Sequence, residues 1–591
     1  MVFLRRLIVW SVILIPVSLT AAPEVSCYNI LDKLLSGKAL PPTTVNQAIA
    51  IATAKETANT LQAVDLEADE IAEAFFVSRS GNMNDGEFKL VVNPKEALAS
   101  RILMIRQATD TIDLSYYIFK DSEASRIILG ELHHALGRGV NVRIMVDGSG
   151  SALSNLNNFA EIQTLMKVKG GLRPDGLRAT FEPVVINPLV NVRANLKRWM
   201  NMVRRMAGAE EVADEHFSIL QRSHDKILLI DRNLPEKSMA MLGGRNISND
   251  YFGLASSNGH TYNDLDIILK GVSREKKENG VIVIDNAIAD QYDRLYNFAA
   301  NKRFNSFYMK IGRSKAADVL NRIRVTRNTY AGGASDIQLL VQKMGQEKYL
   351  DADFDKGDIS ILNEFENISR PSPLSQKGNL YAKNPDSIIR TLWAQIGFAK
   401  KDILIGSPYL YFTDEETSWL ISWLKADSSR TLRIMTSSTA ASDNLPAQAM
   451  MEHFMIPNFL KKLQASGIAE KQYELLAYGN MNHVNVGGAE AQGALHGKFW
   501  MVDNRVIGVG SSNFDPISRR TNSEIMANVL SIDGTATADS LNHFYTDLRS
   551  RSVRWGSKEF NAVKASPMMR NRIRAQAVLA KIMKTLKLLP E

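Results

Sequence analysis

Short apolar stretches alternate with amphipathic stretches along most of this chain, and the same succession occurs twice. In the first half, the apolar run 111–118 is followed by a helix-like stretch at 122–138 and by a second apolar run at 140–146. Residues 402–436 repeat this succession, and both second runs contain Arg-Ile-Met. Short strands that alternate with helices pair in parallel. The pattern therefore predicts an α/β fold in which a strand–helix–strand unit is duplicated.

Each half then continues into a His-x-Lys element with polar side chains after it. In the second half these side chains are His496, Lys498, Asp503, Ser511, Asn513 and Glu524. Alternation through residues 499–502 predicts a buried strand that places His496 and Lys498 on one face, because residues i and i+2 share a side. A lysine supplies positive charge, serine and asparagine donate hydrogen bonds, and histidine can attack phosphorus. The element therefore predicts a reactive phosphate site.

The first half carries a matching but less complete set of side chains. These are His224, Lys226, Asp231, Asn246 and Asp266. The interval from His224 to Asp231 equals the interval from His496 to Asp503, whereas Gly244 replaces Ser511 and removes a hydroxyl donor. Of the nine histidines in the chain, only this pair has matched surroundings, and we therefore predict that His224 and His496 are catalytic.

The acidic residues of the two motifs are expected to play supporting roles. Asp231 and Asp503 complete the candidate catalytic motifs, and we expect them to brace the loop or the lysine. Asp266 and Glu524 are interpreted as equivalent positions of the repeat. Each is predicted to hold the distal N–H of one imidazole, as a carboxylate does in a Ser-His-Asp triad.

Composition narrows the chemistry and the partners. Cys27 is the only cysteine, which excludes a disulfide framework and a thiolate metal site. Within the net charge of +8, basic residues cluster at 193–206 and 568–589. In the second cluster an apolar helical stripe accompanies the basic face, which suits an anionic membrane surface. A packed helix with solvated charges is the alternative.

The first residues have the order of a secretory signal. Arg5 and Arg6 precede an apolar run at 7–22, which ends in small residues and is short for a spanning helix. Pro23 follows the expected cleavage position, so a retained anchor is the alternative to cleavage. The prediction is an exported protein, periplasmic or peripheral on the membrane.

The two motifs resemble those of the phospholipase D superfamily, whose signature is His-x-Lys-x4-Asp followed by Gly-Ser-x-Asn. The resemblance covers about residues 95–550, and stretches 243–252 and 511–518 are similar to the bacterial cardiolipin synthase branch. Ile517 departs from the family, which commonly has arginine there. The resemblance implies two α-β-α lobes that meet as a pseudo-dimer within one chain, with both histidines at the seam and with neither metal nor other cofactor. Lys226 and Lys498 would neutralise the phosphate instead.

With this resemblance the chain divides into successive parts. They are a signal peptide or N-terminal anchor (1–22), a helical extension (23–87), a first lobe (88–335), a connecting segment (336–379), a second lobe (380–555) and a basic C-terminal amphipathic helix (556–591).

The family's activity suggests covalent phosphohistidine chemistry. Family precedent favours His224 as the nucleophile and His496 as the acid and base, although the symmetry of the motifs leaves the order open. The predicted substrate is a phosphatidylglycerol-like phospholipid, and the predicted reaction is phosphatidyl transfer. Phospholipase D hydrolysis, metal-independent cleavage of nucleic acid, and a membrane-docked scaffold without activity are the alternatives. Intact histidines and lysines in both motifs argue against the last.

Overall fold

The computed structural model describes most of the chain after residue 82. The described residues are 83–148, 150, 157–186, 222–254, 261–278, 281–298, 302–303, 313–369, 387–438, 444–479, 492–520, 522–531, 536–565, 571, 573–578, 580 and 581. The predicted signal segment, nearly all of the predicted extension, the basic cluster at 193–206 and most of the C-terminal cluster lie outside these residues.

The first half contains the larger number of short strands. Its elements are β1 (Met83–Val91), α1 (Pro94–Gln107), β2 (Thr111–Tyr116), α2 (Glu123–Gly137), β3 (Asn141–Asp147), α3 (Asn157–Leu165), β4 (Phe181–Ile186), β5 (Arg222–Ser223), β6 (Ile227–Ile230), β7 (Met239–Gly243), a 3-10 turn (Asn249–Tyr251), β8 (Thr261–Asn263), β9 (Asp266–Lys270), β10 (Arg274–Glu278), β11 (Val281–Asp285), α4 (Ala287–Tyr296), β12 (Lys302–Arg303), α5 (Arg313–Ala331), α6 (Asp336–Gln346), β13 (Asp355–Asn363) and α7 (Glu366–Ser369).

The second half repeats this order with fewer insertions. Its elements are α8 (Ile388–Gly397), β14 (Asp402–Gly406), α9 (Asp414–Ala426), β15 (Thr431–Ser437), α10 (Leu445–Met450), a π-helical turn (Met451–Met455), α11 (Ile456–Ala465), a 3-10 turn (Glu470–Gln472), β16 (Tyr473–Tyr478), β17 (Gln492–Leu495), β18 (Phe499–Val502), β19 (Val506–Gly510), α12 (Pro516–Arg520), β20 (Asn522–Ser523), β21 (Ile525–Ser531), α13 (Ala536–Ser550), β22 (Ser552–Arg554) and α14 (Lys558–Ala565).

Helix capping explains where the repeated helices begin. Ser122 caps α2 and forms a reciprocal capping box with Ser125. Thr413 caps α9 and forms the same arrangement with Glu416. A capping box satisfies backbone N–H groups that the first turn leaves without a partner. The polar residues that end the first apolar run of each half therefore also start the helix that follows it.

Sixteen of the described strands form one mixed sheet with a symmetric order, and the other six form three two-stranded sheets. The order is β12-β4-β3-β2-β6-β7-β9-β1-β13-β21-β19-β18-β14-β15-β16-β22, and the two central strands β1 and β13 are antiparallel. From this central pair outward, each half presents the same succession of equivalent strands. Within each half, β2 pairs in parallel with β3 and β14 with β15, as the repeat predicted. The predicted α/β fold with two lobes on mixed sheets flanked by helices is confirmed.

The junction between the halves differs from its prediction. The segment 336–379 was predicted as a polar connection, yet it contains α6 and the central strand β13, in which Ile359 and Ile361 are buried. In the sequence, the charged start of β13 and the short apolar run that follows it are typical of a loop. Its strand character depends on pairing with both neighbouring strands. At the other boundary, β1 begins at Met83, inside the predicted helical extension.

Three apolar cores cover the two faces of the sheet. One contains Leu129 and lies under the helices of the first half, and the second contains Leu424 and belongs to the second half. The third contains residues of both halves, including Ile267 and Val509. Neighbouring residues of one strand point to opposite faces. Because the third core spans both halves, it fixes the lobes against one another.

None of the described helices combines the length and the apolar character that crossing a bilayer requires.

Candidate active site

Each of the two candidate catalytic histidines is held by a strand of the opposite half. The two-residue strand β5 pairs in parallel with β20, and the next backbone N–H, that of His224, donates to Ser523 O at 2.9 Å. The strand β17 pairs in parallel with β8, and the N–H of His496 donates to Asn263 O at 2.7 Å. Backbone pairing across the seam therefore positions both His-x-Lys loops.

The halves also exchange the carboxylates that hold the imidazoles. His224 Nδ1 lies 2.8 Å from Glu524 Oε2, and His496 Nδ1 lies 2.6 Å from Asp264 Oδ2. The two histidines are 7% and 8% exposed, and both carboxylates are buried. A carboxylate at Nδ1 fixes the proton on that nitrogen, so that Nε2 of each ring is left for chemistry.

Asp264 takes the place that was predicted for Asp266, and that prediction is wrong. Gly243 pairs with Asp266, whereas Gly510 pairs with Met526 in the equivalent strands. The residue equivalent to Glu524 is therefore Asp264, two positions earlier. Asp266 instead accepts hydrogen bonds from two buried guanidinium groups, those of Arg101 at 2.9 Å and Arg245 at 3.0 Å.

Gly244 and Ser511 differ in the space that the neighbouring carboxylate leaves for a side chain. Ser511 Oγ donates to Glu524 Oε2 at 2.6 Å. A Cβ atom added to Gly244 would lie 2.2 Å from Asp264 Oδ1. The carboxylate of Asp264 therefore occupies the space that a side chain at residue 244 would need. The absence of a hydroxyl at residue 244 is thus tied to the position of this carboxylate.

The two lysines lie beside the histidines in a buried site. Lys226 Nζ donates to His224 O at 2.5 Å, and Lys498 Nζ donates to His496 O. Lys498 Nζ also lies 2.8 Å from Nδ1 and 3.1 Å from Nε2 of His496. Burial, helped by the charge of Lys498 and opposed by Glu524, lowers the pKa of Lys226 to about 7. Two such cations can stabilise a bound phosphate.

Burial also sets the charge of His224 and its carboxylate. It lowers the pKa of the His224 imidazole to about 4, helped by both lysines and opposed by Glu524. Burial acts to raise the pKa of Glu524, but its interaction with His224, which includes a hydrogen bond, and the charge of Lys226 hold it below its usual range. The pKa of Asp264 falls to about 2 because His496 and Lys498 outweigh burial. At neutral pH, therefore, His224 is neutral and can act as a nucleophile.

Asp231 and Asp503, which complete the motifs, lie at the far ends of the strands that the histidines precede. The Asp231 carboxylate accepts hydrogen bonds from the backbone N–H groups of residues 109–111. The Asp503 carboxylate accepts them from residues 400–402, each at 2.7 Å. Both adopt positive φ, 50° and 51°. They brace the loops before β2 and β14, as expected, so the structure gives them a supporting position although they belong to the candidate catalytic motifs.

The two motif asparagines have different surroundings. Asn246 Oδ1 accepts a hydrogen bond from the N–H of Ile118 at 3.1 Å, and its Nδ2 donates to the hydroxyl of Tyr251 at 3.0 Å. In the second half, the carbonyl of Asn513 accepts from Ser407 Oγ at 2.5 Å, and its side-chain Oδ1 is buried without a partner among the described residues. The amide of Asn246 therefore orients a tyrosine, a contact that sequence comparison of the motifs did not predict.

Sequence reasoning missed the aromatic side chains that surround the histidines. Tyr117 lies edge-on to His224, with ring centroids 5.1 Å apart. Tyr251 and Tyr262 stack on one another and lie 5.1 and 5.2 Å from His496. The position of Tyr117 directly after the first repeated strand is the one sequence signal that could have indicated its role. Tyr251 and Tyr262 reach the site only through tertiary structure.

Within the described ranges, no group of three or more His, Cys, Asp or Glu side chains is arranged to hold a metal ion.

A comparison with protein families shows to which family this chain belongs. The family described as "Cardiolipin synthase, PLD-like domain" matches residues 102–298 and 392–546. These segments comprise more than half of the chain and include both His-x-Lys motifs. The chain belongs to the phospholipase D superfamily. The match places it in the cardiolipin synthase-like branch, and it is an enzyme of the phosphodiesterase and phosphatidyltransferase type.

Relatives of this phospholipase D-like enzyme cover most of its length. It is 23% identical over 434 residues to "Cardiolipin synthase C" of Escherichia coli K12, which covers 73% of this chain and 78% of the relative. An uncharacterized protein of Helicobacter pylori is 24% identical over 455 residues, covering 75% and 76%. A crystal structure of phosphatidylserine synthase from Haemophilus influenzae Rd KW20 covers 86% of this chain and 97% of its own, with 16% identity and a TM-score of 0.49.

Proposed function

We propose that this chain is a cardiolipin synthase-like phosphatidyltransferase that acts on a phosphatidylglycerol-like lipid through a covalent phosphohistidine. The observation that carries the proposal is the exchanged pair of histidine–carboxylate contacts, His224 with Glu524 and His496 with Asp264, beside two buried lysines. In this proposal the Nε2 atoms of both imidazoles face the same phosphate. The family assignment supports the substrate class.

In the first step, Nε2 of neutral His224 attacks phosphorus, and the bond from phosphorus to the leaving alcohol oxygen breaks. His496 protonates that oxygen. In the second step, His496 takes the proton of an acceptor alcohol, whose oxygen attacks phosphorus. The phosphorus–nitrogen bond then breaks and its electron pair returns to Nε2 of His224. Lys226 and Lys498 stabilise the negative charge on the phosphoryl oxygens throughout.

The charge state of His224 supports its assignment as the nucleophile. A nucleophilic imidazole must be neutral when the substrate arrives, and burial lowers the pKa of His224 to about 4. Glu524, which stays ionised, then stabilises the positive charge that the ring gains when Nε2 bonds to phosphorus. The buried carboxylate thus stabilises the intermediate more than the free histidine, which is what covalent catalysis requires.

The same pKa values predict a pH dependence for kcat/KM. Protonation of His224 removes the nucleophile, so the rate should fall as pH drops through about 4. Deprotonation of Lys226 removes a phosphate-binding charge, so the rate should fall as pH rises through about 7 in the free enzyme. Initial rates on a soluble short-chain phosphodiester measure both limbs. An Arg substitution at Lys226 should shift the alkaline limb to higher pH, and an unchanged limb would contradict its assignment.

Product analysis separates the candidate reactions. With phosphatidylglycerol vesicles and EDTA, we expect a lipid transfer product, because Lys226 and Lys498 neutralise the phosphate. Thin-layer chromatography identifies the product, and His224→Ala is the inactive control. Phosphatidic acid as the sole product, even with excess glycerol, would identify a hydrolase. Cleavage of plasmid DNA without lipid turnover would identify a nuclease, and activity that EDTA abolishes and zinc or magnesium restores would require a metal.

The proposal includes an exported enzyme at an anionic membrane surface. Among the described residues of the C-terminal cluster, Gln576 and Ala580 are buried, whereas Val578 of the predicted apolar stripe is 60% exposed. An exposed aliphatic side chain beside basic residues is compatible with contact to a bilayer. Sedimentation with the same vesicles tests this part, and protein that stays in the supernatant at low salt would contradict it.

A further inference from the structure

A second difference between the two halves of the active site, besides Gly244 and Ser511, is a tyrosine hydroxyl near His496. The hydroxyl of Tyr251 lies 3.4 Å from Nε2 of His496, the nitrogen that exchanges protons with the reacting oxygen in the proposed function. Tyr251 follows Asn246 by five residues, and the residue five positions after Asn513 is Ser518. Ser518 Oγ accepts a hydrogen bond from the Asn513 backbone N–H at 3.3 Å. A tyrosine hydroxyl at this place is therefore particular to the first half.

The orientation of the Tyr251 hydroxyl follows from its neighbours. The Asn246 amide is fixed because its Oδ1 accepts from the N–H of Ile118, so its Nδ2 must be the group that donates to Tyr251. The phenol oxygen accepts this hydrogen bond, and its own proton points away from Asn246. After His496 has given its Nε2 proton to the leaving oxygen, Asp264 holds the remaining proton on Nδ1, and Nε2 is an acceptor within reach.

The ring of Tyr251 is rigidly held. It is 3% exposed, stacks on Tyr262 at 4.7 Å between centroids, and lies edge-on to His496 at 77°. Lys498 Nζ lies 3.1 Å from the same Nε2. An incoming phosphate attracts this ammonium group, whereas the phenol is neutral and held by Asn246. A hydroxyl that is fixed beside the proton-transferring atom needs no reorganisation during the reaction.

We propose that Tyr251 is a catalytic residue that marks the acceptor-oxygen site: its hydroxyl donates a hydrogen bond to the oxygen that His496 deprotonates. This inference rests on the proposed function. His496 Nε2 takes the proton of the alcohol or water, the oxygen forms its bond to phosphorus, and the bond to His224 breaks. Tyr251 keeps its proton throughout. Its donated hydrogen bond stabilises the negative charge that develops on the attacking oxygen and aligns that oxygen with phosphorus.

A p-nitrophenyl phosphodiester tests this role in the full-length protein. Its leaving group departs without a proton, so formation of the phosphohistidine does not depend on the acceptor-oxygen site. Tyr251→Phe should keep the initial burst of p-nitrophenolate and lower the steady-state rate that follows by about 10-fold to 100-fold. Added glycerol should accelerate the second step of the wild type and have a much smaller effect on the variant.

Tyr292→Phe is the matched control. Tyr292 is equally buried and loses one hydrogen bond, from its hydroxyl to Leu114 O at 3.2 Å, but it lies on α4 outside the seam. It should retain both the burst and the steady-state rate. If Tyr251→Phe shows an unchanged burst and an unchanged steady-state rate, the role of Tyr251 is refuted and the covalent mechanism stands. If neither the wild type nor Tyr251→Phe shows a burst or covalent label, the covalent mechanism is refuted as well.

Discussion

Alanine at His224 or at His496 should each lower lipid turnover by about four orders of magnitude or more, with the fold intact. The two rings perform different steps: His224 forms the bond to phosphorus and His496 moves the proton. Neither can replace the other, because each is held by its own carboxylate, Glu524 or Asp264. Product analysis with labelled phosphatidylglycerol measures the loss, and thermal unfolding checks the fold.

Covalent trapping distinguishes the two variants from one another. With an acyl-labelled donor whose leaving group needs no proton, His496→Ala should accumulate label on His224, since the second step lacks its base. His224→Ala should acquire no label. Label on His496 would reverse the two roles and keep the mechanism. A variant of either histidine that retains more than a few per cent of wild-type turnover would refute the shared site.

The second large effect is expected from substitution of Asp264 or Glu524, the carboxylates that each hold a histidine of the opposite half. Asp264→Asn and Glu524→Gln should each lower kcat by about 10²-fold to 10⁴-fold, because an amide no longer stabilises a positively charged imidazole at its Nδ1. The loss should come with little change in KM, since neither carboxylate is expected to touch the substrate. Steady-state kinetics on a soluble phosphodiester measures both parameters.

Asp266→Asn is the control that separates catalysis from stability. Asp266 lies two residues from Asp264 but pairs with Arg101 and Arg245, which are both buried. Breaking such a pair leaves uncompensated buried charge and costs about 3–5 kcal/mol of stability. The variant should therefore unfold at a lower denaturant concentration, while its folded fraction retains kcat near that of the wild type. A folded Asp266→Asn protein as slow as Asp264→Asn would show that the assignment of the two carboxylates is wrong.

The sequence predicted those features that depend on short patterns repeated in both halves. The two His-x-Lys motifs, the buried strands after them and the strand–helix–strand units all follow from short-range patterns, which depend on the alternation of side chains along one strand or helix. These patterns predicted the α/β class, and the motifs predicted the superfamily that the family comparison confirms. The signal segment and the basic cluster at 193–206 stay predictions.

Three features depended on tertiary structure. The central strand β13 is polar at its start and becomes recognisable through its pairing with β1 and β21. Asp264 and Asp266 are separated by a single residue, and strand register alone decides that Asp264 reaches His496. Tyr251 lies 245 positions from His496 in the chain, so no local pattern could bring its hydroxyl to Nε2.

A single physical reason separates the features that the sequence predicted from those that only the tertiary structure decided. A motif specifies the groups that one segment presents, because side-chain direction is fixed by the local backbone. The partner of each group belongs to the opposite half here, since His224 is held by Glu524 and His496 by Asp264 across the seam. Such partners are selected by the register of strands that pair over hundreds of residues. The sequence by itself therefore determined the reactive groups, and the tertiary structure decided which carboxylate and which tyrosine serve each histidine.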